Sequence, residues 1–230
     1  MKTYSFRAFA SFVLLMLVSW LALAAATTTA VTGVVEATPQ KGLPSALAVG
    51  QRIESGATVK TGDRSSTVLR FDDGQSISLA GNTTFVITEY SFNAHKPSEG
   101  GFVATLLRGA MRAVTGVIGE TARQNVRINT ATATIGIRGT DFNLHLADSR
   151  LYIQVAEGAV SATNAAGVEV FDAARQPMGM VSSSSTLPHS IQPAELPATI
   201  LGDFRQLSAV PITGKERRPD AGDPTCNDRR

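Results

Sequence analysis

The chain has 230 residues, 43% of them hydrophobic and 17% charged, with a formal charge of +2. That length can build a real core of one or two domains. Setting aside Lys2 and Arg7 leaves 19 basic against 19 acidic residues, which excludes a global electrostatic case for nucleic acid or an anionic membrane.

The chain opens like a secretory signal peptide over residues 1–26. Lys2 and Arg7 give a basic start, residues 9–23 are almost wholly apolar, and Ala22-Leu23-Ala24 and Ala24-Ala25-Ala26 are small-x-small cleavage sequences. Cleavage after Ala24 or Ala26 is expected, with a periplasmic or secreted product; an uncleaved membrane anchor is the alternative. Cys226, the only cysteine, cannot form an internal disulfide.

Beyond residue 26, Gly, Thr, Ser, Val and Ala are common, which suits strands and turns. Residues 27–30 read as a linker, residues 31–37 as a first strand and residues 39–44 as a loop. From there to about Val181, short apolar runs alternate with glycine-bearing turns, which predicts an all-β fold of short antiparallel strands and hairpins. A twisted sandwich or an irregular solenoid-like module both fit.

One hairpin can be read to its register. A two-residue turn at Asp73-Gly74 would mismatch the apolar faces of residues 67–71 and 75–79. A three-residue loop, Asp72-Asp73-Gly74, pairs Leu69 with Ile77 and Thr67 with Leu79 and puts Leu69, Phe71, Ile77 and Leu79 on one face. Gly74 then stands at the left-handed position of the loop. Residues 102–117 are ambiguous: Leu106, Leu107, Ala110 and Val114 could line a helix, which Gly109 and Gly116 weaken.

Residues 130–142, Thr-Ala-Thr-Ala-Thr-Ile-Gly-Ile-Arg-Gly-Thr-Asp-Phe, begin with a half-buried strand of period two. Gly136 and Gly139 then bracket Arg138, and glycine there suggests a bulge, a positive φ or close backbone contact. Phe142, Leu144 and Leu146 should pair with Leu151, Ile153 and Val155 through a turn at residues 147–150. Val160, Val168 and Val170 extend the sheet. From Ser182 onward serines and prolines dominate, residues 200–207 suit one short helix, and the charged residues 215–230 read as a disordered tail.

No nucleophile elbow, P-loop, dinucleotide fingerprint or zinc motif occurs. The reading is therefore no enzyme, no cofactor and no metal. Two carboxylates, Asp72 and Asp73, are too few for a calcium cage. His95, His145 and His189 are far apart, and His145 reads as an exposed strand-face histidine. Arg138 and Asp141 are the best polar pair. They are either a ligand-binding arginine with its orienting carboxylate or, the preferred reading, an ion pair fixing the Gly139 turn, with Asp141 or Glu157 as partner. Arg108, Arg112, Arg123 and Arg127 form a basic run that could bind an anionic glycan or lipid head group. A solvated strand face is the ordinary explanation.

Seven segments resemble, in order, the FecR-type domain, a β-rich module of bacterial cell envelopes. They are Val49-Gly50-Gln51-Arg52-Ile53, Val59-Lys60-Thr61-Gly62-Asp63-Arg64-Ser65, Leu69-Arg70-Phe71-Asp72-Asp73-Gly74, Leu107-Arg108-Gly109-Ala110-Met111-Arg112, Asn129-Thr130-Ala131-Thr132-Ala133, Gly136-Ile137-Arg138-Gly139-Thr140-Asp141-Phe142 and Val155-Ala156-Glu157-Gly158-Ala159-Val160. The resemblance covers residues 31–181 and leaves 182–230 as a Ser/Pro-rich segment and tail. It implies a non-catalytic exported module. Its best-known members carry a signal from an outer-membrane receptor to a sigma factor. About eight residues precede the apolar segment here, so the resemblance brings no cytoplasmic anti-sigma region. Two functions are expected: protein interaction or signal relay in the envelope, or retention of glycan or anionic lipid through the arginines.

Overall fold

The computed structural model describes residues 24–211, and of Arg138 only the backbone. Residues 1–23 of the expected leader, the charged tail and Cys226 lie outside the described residues. Strand accounts for 52% and helix for 14% of the described residues, so the fold is all-β.

Among the described residues, fifteen strands share one continuous hydrogen-bonded sheet, folded into two layers. The first layer runs through β3 (Ser45–Ala46), β2 (Val35–Thr38), β5 (Thr58–Thr61) and β8 (Thr84–Ser91). It continues through the N-terminal half of β9 (Gly101–Val114), β10 (Val126–Asn129), the N-terminal half of β11 (Thr134–Ala147), the C-terminal half of β12 (Arg150–Asn164) and β13 (Gly167–Asp172). The second layer runs through β4 (Arg52–Glu54), β1 (Ala25–Thr32), β6 (Ser66–Phe71) and β7 (Ser76–Leu79). It ends with the C-terminal halves of β9 and β11, the N-terminal half of β12, β14 (Met178–Val181) and β15 (His189–Ser190).

Three strands therefore belong to both layers, and each turns its corner at a glycine. Gly109 in β9, Gly139 in β11 and Gly158 in β12 have φ of 88°, 65° and 75°. L-residues enter that region only at a cost, so glycine is what the corners require. Space matters as well. A Cβ on Gly109 would stand 2.5 Å from Thr83 Cα, and one on Gly158 would run into the Gly139 carbonyl oxygen. Strands that switch layers at such bends are the usual way to make the corner of a sandwich. One apolar core lies between the layers, with Phe71, Phe85, Phe102, Leu106, Ile135, Phe142 and Phe171 fully buried in it.

The hairpin of β6 and β7 has the register expected from sequence, with Leu69 opposite Ile77 and Thr67 opposite Leu79. Gly74 has φ 86° and donates its N–H to the Phe71 carbonyl at 2.9 Å. β11 and β12 join through Asp148 and Ser149, both at positive φ, as a two-residue turn needs to match the strand twist. The ambiguous residues 102–117 are mostly strand β9, whose buried Phe102, Ala104 and Leu106 alternate toward the core.

The N-terminal expectation needs correction. Strand structure begins at Ala25 rather than at residue 31, so the expected linker is part of β1. The expected single strand over 31–37 is broken at Gly33 (φ 73°), where the chain leaves β1 in one layer for β2 in the other.

Gly74 and Gly158 separate two costs of replacing a left-handed glycine. Nothing lies within 4 Å of a Cβ on Gly74, so Gly74→Val should cost only the conformational strain, about 1–2 kcal/mol. Gly158→Val adds the collision with Gly139 and should cost about 2–5 kcal/mol. Urea unfolding of the two variants checks the order; equal losses would mean that the Gly139–Gly158 contact is not tight.

Candidate functional site

The outer face of the second layer is covered. Helix α2 (Ala198–Ala209), expected from sequence over 200–207, lays Ile200, Phe204 and Leu207 onto the sheet. Beneath its C-terminal end runs a cross-strand polar row, with Ser78, Arg112, Asn143 and Gln154 in register. Arg112 is its centre. Nε and Nη2 donate to the two Asp141 carboxylate oxygens at 2.8 and 2.6 Å, and Nη1 donates to the carbonyls of Leu207, Ser208 and Val210 at 3.1–3.3 Å. One guanidinium thus neutralises a carboxylate and caps the last turn of a helix, where orphan carbonyls favour a cation. The Arg112 and Asp141 side chains are only 14% and 18% exposed.

The structure adds a partner that sequence reading did not name: Asp141 is bonded to Arg112 on the neighbouring strand. The backbone of Arg138 sits opposite Ala159 on β12, one residue before the Gly139 corner. His145 is not exposed: its side chain is 13% exposed under α2, with Nδ1 3.1 Å from Asp203 Oδ2 and the ring edge-on to Phe204. Burial pushes its imidazole below the usual value, and Asp203 partly opposes that. Sequence alternation found the strand face correctly but could not tell that a later helix covers it.

The arginine run is divided by the Gly109 corner. Arg108 is exposed on the first-layer side, and Arg112 is committed to Asp141 and α2 on the second. Arg123, in a short 3-10 turn, and Arg127, on β10, are exposed. Arg127 lies in one register row with Val103 and Glu89, so the row carries both signs of charge.

The outer face of the first layer carries no helix among the described residues. One row crosses eight strands there in unbroken register: Thr38, Thr58, Val86, Thr105, Asn129, Thr134, Thr163 and Val168. All are partly or fully exposed and none is charged. Beside this row, Thr88 and Thr105 share a hydroxyl hydrogen bond of 3.1 Å. Sequence reading placed Thr134 on a strand but not the rank, which exists only once the register of all eight strands is known.

A cleft of about 500 Å³ lies by the edge strands β3 and β4, and Gln40, Lys41, Gln51, Arg52, Glu54 and Ser55 are among its lining residues. Among the described residues no cluster of His, Cys, Asp and Glu could hold a metal.

Asp73 is the one deeply buried carboxylate of the hairpin loop, 3% exposed. It accepts hydrogen bonds from Gln75 N at 3.1 Å, from Ile118 N in helix α1 (Val117–Thr121) at 3.4 Å and from the Tyr90 hydroxyl at 3.4 Å. These contacts clamp the loop onto α1. Desolvation nevertheless raises the Asp73 carboxyl above the usual carboxylate range, and burial with the nearby Asp73 charge raises the Tyr90 phenol.

Arg112→Ala should leave Asp141 half-buried without its charge partner and release the end of α2. A loss of about 2–4 kcal/mol is expected, with new protease sensitivity in residues 198–211; unchanged proteolysis would show that Arg112 does not hold the helix. A raised carboxyl titrates with a definite sign. The Asp73 contribution is full below the unfolded value and is lost as pH rises through the folded one. The melting temperature of the wild type relative to Asp73→Asn should therefore fall as pH rises above about 4. A rising difference would mean that the hydrogen bonds to the ionised form outweigh desolvation.

Residues 57–161 match the family described as FecR protein. Two crystal structures of a candidate anti-sigma factor from Parabacteroides distasonis ATCC 8503 are similar to this chain at 13% identity, with TM-scores of 0.43 and 0.44. Each similarity covers 58% of this chain and 59% of the other, so it takes in less than two thirds of that protein. No curated protein matches the chain. The residues that carried the resemblance have structural work to do: three of the seven segments contain the corners Gly109, Gly139 and Gly158, a fourth is the Gly74 hairpin, and two of them meet as Arg112 and Asp141. Residues 57–161 of this chain are a FecR-type domain.

Proposed function

We propose that the chain is an exported, non-catalytic signalling module that binds another protein of the cell envelope through the outer face of its first layer. Membership of the FecR-type domain supports a regulatory role. The uncharged row from Thr38 to Val168 carries the choice of surface. Centres of protein interfaces are depleted in charge, and a flat β-branched surface meets a protein partner with little side-chain entropy to lose. Arg127 and Glu89, with opposite charges in the adjacent row, suit a polar rim better than a polyanion site.

The competing reading is retention of an anionic glycan or lipid by Arg108, Arg123 and Arg127. One experiment separates the two. Wild type, Thr105→Arg, Thr134→Arg and the triple alanine variant of the three arginines are each mixed with envelope extract. A stoichiometric protein retained by the wild type and the triple variant, and lost from both threonine variants at unchanged melting temperature, is the expected result. Retention on cell-wall or lipid fractions that disappears only in the triple variant would transfer the function to the arginines.

A further inference from the structure

The expected leader offers two cleavage points, after Ala24 and after Ala26, and the fold treats them very differently. Ala25 and Ala26 are 1% and 0% exposed, and Ala26 belongs to the central core. Both pair with β4, at Glu54 and Ile53, and the only further rung is Thr27 with Arg52. β4 has three residues and, among the described residues, no other strand partner, so a chain beginning at Thr27 would keep the Thr27–Arg52 rung and the Thr28 bonds to Gln51 and Gly50 but lose the two rungs at Ile53 and Glu54. Ala25 is also tied from both sides to the hairpin loop. Its N–H donates to Asp72 Oδ2 at 2.9 Å, and its carbonyl accepts from Asp72 N at 3.3 Å. Arg52 Nη2 donates to the same Asp72 oxygen at 3.1 Å.

We infer that the chain is processed between Ala24 and Ala25, and that the new α-ammonium of Ala25 is captured by the Asp72 carboxylate. Hydrolysis of that peptide bond leaves the carboxylate on Ala24 and the amine on Ala25. The Ala25 nitrogen already stands at hydrogen-bond distance from Asp72, so cleavage turns a neutral donor into a charged one without moving it. The cluster then holds two cations, Arg52 and the ammonium, against the Asp72 carboxylate. Leader removal thereby strengthens the attachment of β1 to the hairpin loop rather than loosening a chain end.

The inference rests on the export reading of the proposed function, and the test keeps the two apart. The full chain is expressed with its leader, the exported protein is recovered, and its intact mass is measured. An N-terminus at Ala25 is expected. An N-terminus at Thr27 would overturn this inference and leave export standing, whereas intact Met1 would overturn both. The α-amine is then titrated by amine-reactive labelling. In the wild type its half-reaction pH should lie about one unit above that of Asp72→Asn, and identical profiles would refute capture by Asp72. Ala22→Leu makes the first cleavage sequence bulky at its first position and leaves the second intact. Any product beginning at Thr27 should melt below the Ala25 form, and equal melting temperatures would show that the fold does not need Ala25 and Ala26.

Discussion

Everything in this fold hangs on β9, β11 and β12 serving two layers at once. A strand of 14 or 15 residues is long for a globular protein, and here no strand of that length stays in one layer. Each bends at a glycine where the alternation of side chains is reset. Two of the corners touch, Gly158 against the carbonyl of Gly139, so the position of one bend fixes the other. The apolar core is what the two layers close upon once the corners are set.

Local features were legible in the sequence in proportion to how local their physics is. The β6–β7 hairpin could be read to the residue because one face had to be apolar and one loop position had to be glycine. The β11–β12 hairpin and α2 were visible for similar reasons. The Arg112–Asp141 pair was not, because it depends on which strands become neighbours after the Gly109 and Gly139 corners. Spacing alone pointed to Arg138, three residues from Asp141. Likewise His145 obeyed its strand alternation, and its burial was decided by a helix almost sixty residues later. The start of β1 was misread because residues 27–30, three threonines and an alanine, carry no apolar alternation and so read as a linker.

The two outer faces show what a sheet can do with polar residues. On the second layer, Ser78, Arg112, Asn143 and Gln154 form a row under α2, where Arg112 and Asn143 bond to the helix end. On the first layer the row from Thr38 to Val168 carries hydroxyls, valines and one amide that need no cover, since threonine satisfies itself with neighbours or water. A helix docks where the sheet offers it hydrogen bonds, and the other face stays open to a partner.

The shared strands also govern which changes in length the domain can absorb. Inserting one residue into an ordinary edge strand slips one ladder. Inserting one beside Gly109, Gly139 or Gly158 would invert the facing of one half of a strand while leaving the other half correct. Core residues would then point to solvent in only one of the two layers. The spacing between each corner and its strand ends is therefore a fixed length in this architecture, and variation in size is confined to the turns and the edges.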